Sequence, residues 1–233
     1  MRSHDLVSSA LLQRFPLFES LPQVTLTELA RNSLIKVFNK REVVLYKGVA
    51  PQHLCFLLEG RLQGVDFTID GKEVGTLFVD PLDFFGELGV LDGEPHPETI
   101  MAIVKSSVLM VPRAAIRPML VAMPAMAEAL VLRLSHKLRL AQEQRRILGL
   151  ANPLQKVCAQ LTILSRSLPS SGLISNVPTH QELAIMINSS RETVTRVFQL
   201  LQSKGLVLRD GSNLQIKQIN IMREIAEGKR QGL

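Results

Sequence analysis

THQELAIMINSSRETVTRVFQLLQSKGLV, residues 179–207, is the stretch whose reading settles most. Thr179 with Glu182 three residues on forms a capping box, and Leu183, Ala184 and Ile187 are the apolar stripe of the helix it opens. Asn188-Ser189-Ser190 makes a turn and a second N-cap. The next helix is predicted from Arg191 to about Lys204, with Gly205 ending it. At about 100° per residue from Arg191, Thr195 falls at about 40°, Glu192 at about 100° and Arg196 at about 140°. Val194, Val197, Phe198 and Leu201 fall between about 240° and 340°. One face is therefore core and the opposite face carries Arg, Glu, Thr and Arg. An arginine fork bonds both guanine acceptors, and a glutamate accepts from cytosine N4, so this division suits a helix in a DNA major groove. An ordinary amphipathic helix pair inside a core shows the same division. After it, LVLRDGSNLQIKQI (206–219) reads as strand, Asp210-Gly211 turn and strand, the form of a wing.

Charge points the same way. The chain of 233 residues carries a net charge of +6. Residues 1–151 hold 17 basic and 16 acidic side chains, whereas residues 152–233 hold 10 basic and 5 acidic. A basic excess confined to the last third suggests a polyanion partner there. With 46% hydrophobic and 21% charged residues, disorder is excluded. No apolar run approaches the roughly 18–20 residues of a membrane span, and MRSHDLVSSALLQRF lacks the apolar stretch of a secretory leader, so no membrane role and a cytoplasmic location are expected. Two cysteines, Cys55 and Cys158, exclude disulfide scaffolds, zinc ribbons and four-cysteine iron–sulfur sites.

Upstream, Leu11, Leu12, Phe15, Phe18 and Leu21 predict short helices interrupted at Pro16, and Leu26, Leu29 and Ala30 continue them. From Leu34 to Val111, short apolar runs (VVLY 43–46, LCFLL 54–58, VGTLFV 74–79, SVLMV 107–111) alternate with turn signals, of which Asp70-Gly71 is the best. This predicts an antiparallel β-roll or jelly-roll barrel within an α+β chain. From Ile116 the period becomes helical: Leu130, Leu134, Leu138, Ala141, Arg145 and Leu148 form a heptad-like seam. It serves either as a dimer seam, the reading preferred here, or as a helix face packed on its own barrel. Three segments result: a barrel over 1–115, a long helix over 116–151 and a winged helix–turn–helix over 152–233. Asn152-Pro153 opens the last, and its first helices are separated by the uncharged SLPSSGLISNVP (167–178).

SSRETVTRVFQLLQSKGLV closely resembles the recognition helix of the CRP/FNR family of bacterial transcription regulators. KGVAPQHLCFLLEGRLQ (47–63) and DGKEVGTLFVDPLDFFGELGVLDGEP (70–95) resemble that family's cyclic-nucleotide-binding barrel, and the likeness runs from about Phe18 to Ile219. It implies a homodimer on a pseudo-palindromic double-stranded DNA operator with TGTGA or TGA half-sites. Arg191, Glu192 and Arg196 match the family's base-reading positions. Thr179 and Gln181 match phosphate contacts, His180 replaces the commoner Arg between them, and Ser190 and Thr195 are accessory contacts on the same face. By analogy, exposed residues near 165–178 would meet RNA polymerase.

The effector site departs from the pattern. Gly86-Glu87-Leu88 matches the phosphate cassette of cyclic-AMP sensors, but Pro95-His96-Pro97-Glu98-Thr99 stands where Pro-Arg-Ser-Ala-Thr is usual. His96 replaces the phosphate-binding Arg, Pro97 lacks an N–H donor, and Glu98 adds negative charge beside an anion. Ala141 and Gln142 replace the Thr-Ser pair that reads adenine. The expected effector, set by Gly86, Glu87, Leu88, His96, Glu98, Thr99 and Gln142, is therefore not cyclic AMP. In one subgroup a Glu near 98 accompanies cyclic di-GMP; otherwise Glu98 is a turn carboxylate. His53 and Cys55 stand two apart in a strand, share a face and could ligate haem or a metal, but fit a barrel wall better, and no metal site is expected. Two alternatives stay open: a regulator whose barrel is only a dimerisation scaffold, and an enzyme on a cupin-like barrel. The five histidines, at 4, 53, 96, 136 and 180, lack the clustering that such an enzyme needs.

Overall fold

The computed structural model describes residues 7–67, 73–165 and 172–230. The Asp70-Gly71 turn, residues 167–171 of the 167–178 loop and the first six residues of the segment read for a leader lie outside them. The chain forms two compact units, residues 1–136 and 137–233. Their boundary falls inside a helix, between His136 and Lys137.

The first unit opens with α1 (Ser9–Leu12), a 3-10 turn at Pro16–Phe18 and α2 (Gln23–Asn32). Among the described residues eight strands follow: β1 (Leu34–Phe38), β2 (Val43–Leu45), β3 (His53–Glu59), β4 (Leu62–Phe67), β5 (Glu73–Val79), β6 (Phe84–Phe85), β7 (Thr99–Ala102) and β8 (Ser106–Pro112). They build two antiparallel sheets, ordered β1-β8-β3-β6 and β2-β7-β4-β5. β4 and β5 pair antiparallel from Leu62↔Val79 to Phe67↔Glu73.

β3 is buried on both faces, which is why LCFLL reads as a continuous apolar run. Cys55 and Leu57 face a core with Leu62, Val79, Ile100, Ala102 and Val108. Leu54 and Phe56 face a second core with the N-terminal helices. There the Phe56 ring lies 4.7 Å from Phe15 and 4.8 Å from Phe18, centroid to centroid.

The single helix expected from Ile116 is two. α4 (Arg113–Ala122) ends at Met123, and α5 (Pro124–Leu148) starts at Pro124, a residue suited to a first helical turn but not to a helix interior. A short helix within the β region, α3 (Glu87–Asp92), was also unforeseen; it is bracketed by Gly86 and Gly93, both with left-handed backbone. No described helix is by itself long and apolar enough to cross a membrane.

The second unit contains the end of α5, then α6 (Pro153–Leu164), β9 (Leu173–Ile174), α7 (His180–Met186), α8 (Arg191–Ser203), β10 (Val207–Asp210), β11 (Asn213–Ile216) and α9 (Ile219–Ala226). β10 and β11 form the expected wing hairpin, and β9 adds a third strand through Leu214↔Ile174. Ile147, Val157, Leu161, Leu183, Val194, Phe198, Leu201, Leu214 and Ile225 share one core.

Candidate nucleic-acid interface

α7 and α8 form where the sequence places them because each carries its own start signal. The Thr179 hydroxyl accepts from the Glu182 N–H at 3.2 Å, and the Glu182 carboxylate accepts from the Thr179 N–H at 2.7 Å, completing the capping box. Asn188 takes a left-handed conformation (φ 47°) in the turn. Ser190 then caps α8 by accepting from the Thr193 N–H at 3.1 Å. Thr179→Ala is expected to lower stability by about 1 kcal/mol in chemical denaturation, and Thr179→Ser to leave it nearly unchanged.

Val194, Val197, Phe198 and Leu201 of α8 are buried, and Arg191, Glu192 and Arg196 are exposed on the opposite side. The Glu192 carboxyl is held below its ordinary range by its own backbone N–H and the Ser190 hydroxyl, then by Arg191 and Arg196. It is therefore a carboxylate at neutral pH, an acceptor flanked by two arginine forks. Thr179, Gln181 and Ser190 are also exposed, and Thr195 is half-buried.

His180 is joined both to α8 and to the wing. It is half-buried, with its ring 4.6 Å from that of Phe198. Nδ1 lies 2.9 Å from the Thr195 hydroxyl, and Nε2 lies 3.4 Å from Nη1 of Arg209 on the wing. Burial, then Arg209 and Arg191, push its pKa down. Because the unfolded chain binds that proton more tightly, His180 lowers stability as pH falls below its ordinary value and has no effect well above it.

Three polar residues here were not anticipated. Arg209 lies on β10, next to the wing turn that the sequence did mark. Gln144 of α5 donates to the Met186 carbonyl at 2.6 Å, and Lys156 of α6 donates to the Ile187 carbonyl at 3.2 Å. Both serve the C-terminal carbonyls of α7, which favour a cation or donor. Nothing in their local sequence signals this, since the partners lie 42 and 31 residues away.

The seam residues lie along α5, with one correction. Leu130, read as part of the seam, is buried in the first unit's helical core, and Leu134 packs partly against the same core. The open stripe instead takes in Val131, Leu138 and Leu148, which are 59%, 60% and 44% exposed, with Ala141 and Arg145 exposed between them. From Val131 the stripe steps 131, 134, 138, 141, 145 and 148, a strict heptad.

The effector-site residues divide between the units. Gly86 starts α3 with a left-handed backbone (φ 82°), and a Cβ there would come within 3.1 Å of the Leu45 side chain and 3.4 Å of the His53 carbonyl. Glu87 is buried and Leu88 is exposed. His96 is 5% exposed and is committed to the fold: its Nδ1 is 2.7 Å from the Glu98 carbonyl, its N–H donates to Val49 and its carbonyl accepts from Gly48. Glu98 is buried, and the Thr99 hydroxyl accepts from the Lys47 N–H at 3.3 Å. Both segments thus pack on the 45–53 connection. Gln142 is exposed on α5 within the second unit.

Cys55 and Cys158 are both buried, and burial pushes each thiol up to about 12, so neither carries a thiolate at neutral pH. Among the described residues, no three His, Cys, Asp or Glu side chains gather as a metal site.

Comparison with known proteins places both units. Residues 35–122 match the cyclic nucleotide-binding domain model, and residues 155–225 match the Crp-like helix-turn-helix domain model. A cyclic AMP receptor protein of Thermus thermophilus is 24% identical over 193 residues, covering 83% of this chain and 88% of that one. The transcriptional regulator SdrP of the same organism is 29% identical over 204 residues, covering 84% and 95%. The solved structure of FixK2 from Bradyrhizobium japonicum superposes with a TM-score of 0.73 at 19% identity, covering 83% of this chain and 96% of that one. The cupin-like enzyme alternative therefore falls. With an antiparallel barrel, a long helix and a winged helix–turn–helix in that order, and with both family models matched in their places, this chain belongs to the CRP/FNR family of transcription regulators.

Proposed function

We propose that this chain binds a pseudo-palindromic operator as a homodimer in the cytoplasm, reading bases with Arg191, Glu192 and Arg196. The observation that carries the reading is the exposed Arg-Glu-Arg face of α8, opposite a buried apolar face. Thr179, Gln181 and Ser190 are exposed at the starts of α7 and α8, where a phosphate finds backbone N–H groups and a favourable helix end. The heptad stripe on α5 supplies the dimer seam. Fluorescence anisotropy at fixed salt tests this, with a labelled duplex carrying two TGTGA half-sites and a scrambled duplex. Preference for the first supports the reading, and equal affinity overturns it.

The effector of the Thermus cyclic AMP receptor protein does not transfer to this chain. His96 is spent on the Glu98 carbonyl, Pro97 offers no N–H, and two carboxylate side chains, Glu87 and Glu98, are buried in the same region. Loss of an Arg–phosphate bond removes roughly 1.5–3 kcal/mol. Isothermal titration calorimetry is expected to show no saturable binding of cyclic AMP, and a one-site isotherm would count against this. The same titration with cyclic di-GMP separates an effector-controlled regulator from one whose barrel is a scaffold.

A further inference from the structure

The hydrogen bonds around His180 form a chain in which each bond dictates the next. A guanidinium only donates, so Nε2 of His180, 3.4 Å from Arg209 Nη1, must accept. The imidazole is then neutral with its proton on Nδ1, which donates to the Thr195 hydroxyl at 2.9 Å. That hydroxyl in turn donates to the Arg191 carbonyl at 2.9 Å. Arg209 also donates through Nε to the Gly211 carbonyl at 3.3 Å, which holds the wing turn. Three elements separate in sequence are so joined: the wing, the first residue of α7 and the first turn of α8. The last carries the first base-reading side chain.

We infer that His180 is a positioning residue, whose neutral Nδ1-protonated ring ties Arg209 of the wing to the first turn of α8 and so sets the base-reading geometry of Arg191. The inference rests on the DNA-binding reading above. A proton on Nε2 removes the acceptor and turns Arg209 from a partner into a like charge. The charged groups acting on the ring are Arg209 from β10 and Arg191 from α8, both cations. Glu182 on its own helix is bonded to the Thr179 N–H. Uptake of a proton therefore breaks the link rather than exchanging it for an ion pair.

The expected role at this position, a phosphate contact, makes a different prediction. Phosphate contacts add affinity for every sequence alike. An imidazolium contact would tighten operator and scrambled DNA together on acidification. The positioning role instead lowers the ratio of the two affinities, because it acts through base reading. The first measurement is the 15N spectrum of the His180 imidazole in the full-length protein without DNA, at pH 7.5, assigned by its loss in His180→Gln. Protonated Nδ1 with unprotonated Nε2 is expected, and a proton on Nε2 overturns the inference.

The second measurement is the operator-to-scrambled ratio, with the TGTGA duplex, between pH about 7.5 and 5.5, either side of the ordinary imidazole value of about 6.5. The ratio is expected to fall about tenfold in the wild type. It is expected to stay level in His180→Gln, whose amide keeps an acceptor for Arg209 that does not titrate, and to be low at both pH values in Arg209→Ala. Circular dichroism at pH 5.5 keeps unfolding apart from loss of reading. A wild-type ratio that does not change with pH, or one that falls equally in His180→Gln, overturns the inference. Absence of any operator preference at pH 7.5 overturns the DNA-binding reading instead, and the tautomer measured without DNA distinguishes the two failures.

Discussion

Arg191→Ala is expected to weaken operator binding about tenfold to hundredfold and to erase discrimination at one base pair of each half-site. The magnitude follows from a bidentate Arg–guanine contact, worth roughly 1–3 kcal/mol of base discrimination. Arg191 is exposed in the first turn of α8, the end that a helix–turn–helix presents to base edges. Its side chain makes no contribution to the core, so the variant is expected to fold. Arg191→Lys keeps the charge but not the planar fork, and is expected to recover affinity for scrambled DNA without recovering discrimination. The check is anisotropy against duplexes varied one base pair at a time. A uniform loss across all sequences would make Arg191 a phosphate contact and remove it from base reading.

Leu138→Glu is expected to convert a dimer to monomers. Leu138 is 60% exposed in the single chain and lies at the middle of the 131–148 stripe. The substitution therefore removes nothing from the monomer's own core. In a two-fold dimer it removes two leucines from the seam and sets two carboxylates there. Burial of a leucine is worth roughly 1.5–3 kcal/mol, so losing a symmetric pair weakens association by about two to four decades before any charge repulsion. Sedimentation velocity of wild type and variant measures this directly. Operator affinity is expected to fall with it, because two linked half-site contacts become two separate ones. An unchanged dimer would assign the seam to another surface and leave the α5 stripe without a role.

The two variants report on parts of the chain that differ in legibility. The α7–α8 pair could be read residue by residue because its signals are local: Thr179 with Glu182, Ser190 at the second cap, and a 3.6-residue period that separates Val194, Val197, Phe198 and Leu201 from Arg191, Glu192 and Arg196. β3 could be read because burial on both faces leaves no polar interruption. β4 and β7 were harder. LQGVDF carries a glycine and an aspartate, TIMA is four residues long, and their pairing with each other is a long-range fact. α3 was missed because six residues between two left-handed glycines show no helical period.

On the long helix, the heptad spacing was legible but its phase was not. Leu130 and Val131 are equally apolar, and only the position of the N-terminal helices puts Leu130 in the core and leaves Val131 open. His96 and His180 show the same limit at the sites. The sequence identified both as histidines standing where an arginine is usual, and so determined that neither place offers a permanent cation. Where each ring points depended on partners brought in by the fold: the Glu98 carbonyl for His96, and Thr195 and Arg209, 15 and 29 residues away, for His180. Caps, periods and charge faces are written in neighbouring residues and can be read from the chain alone. The direction of a hydrogen bond between remote side chains exists only once packing has brought donor and acceptor together.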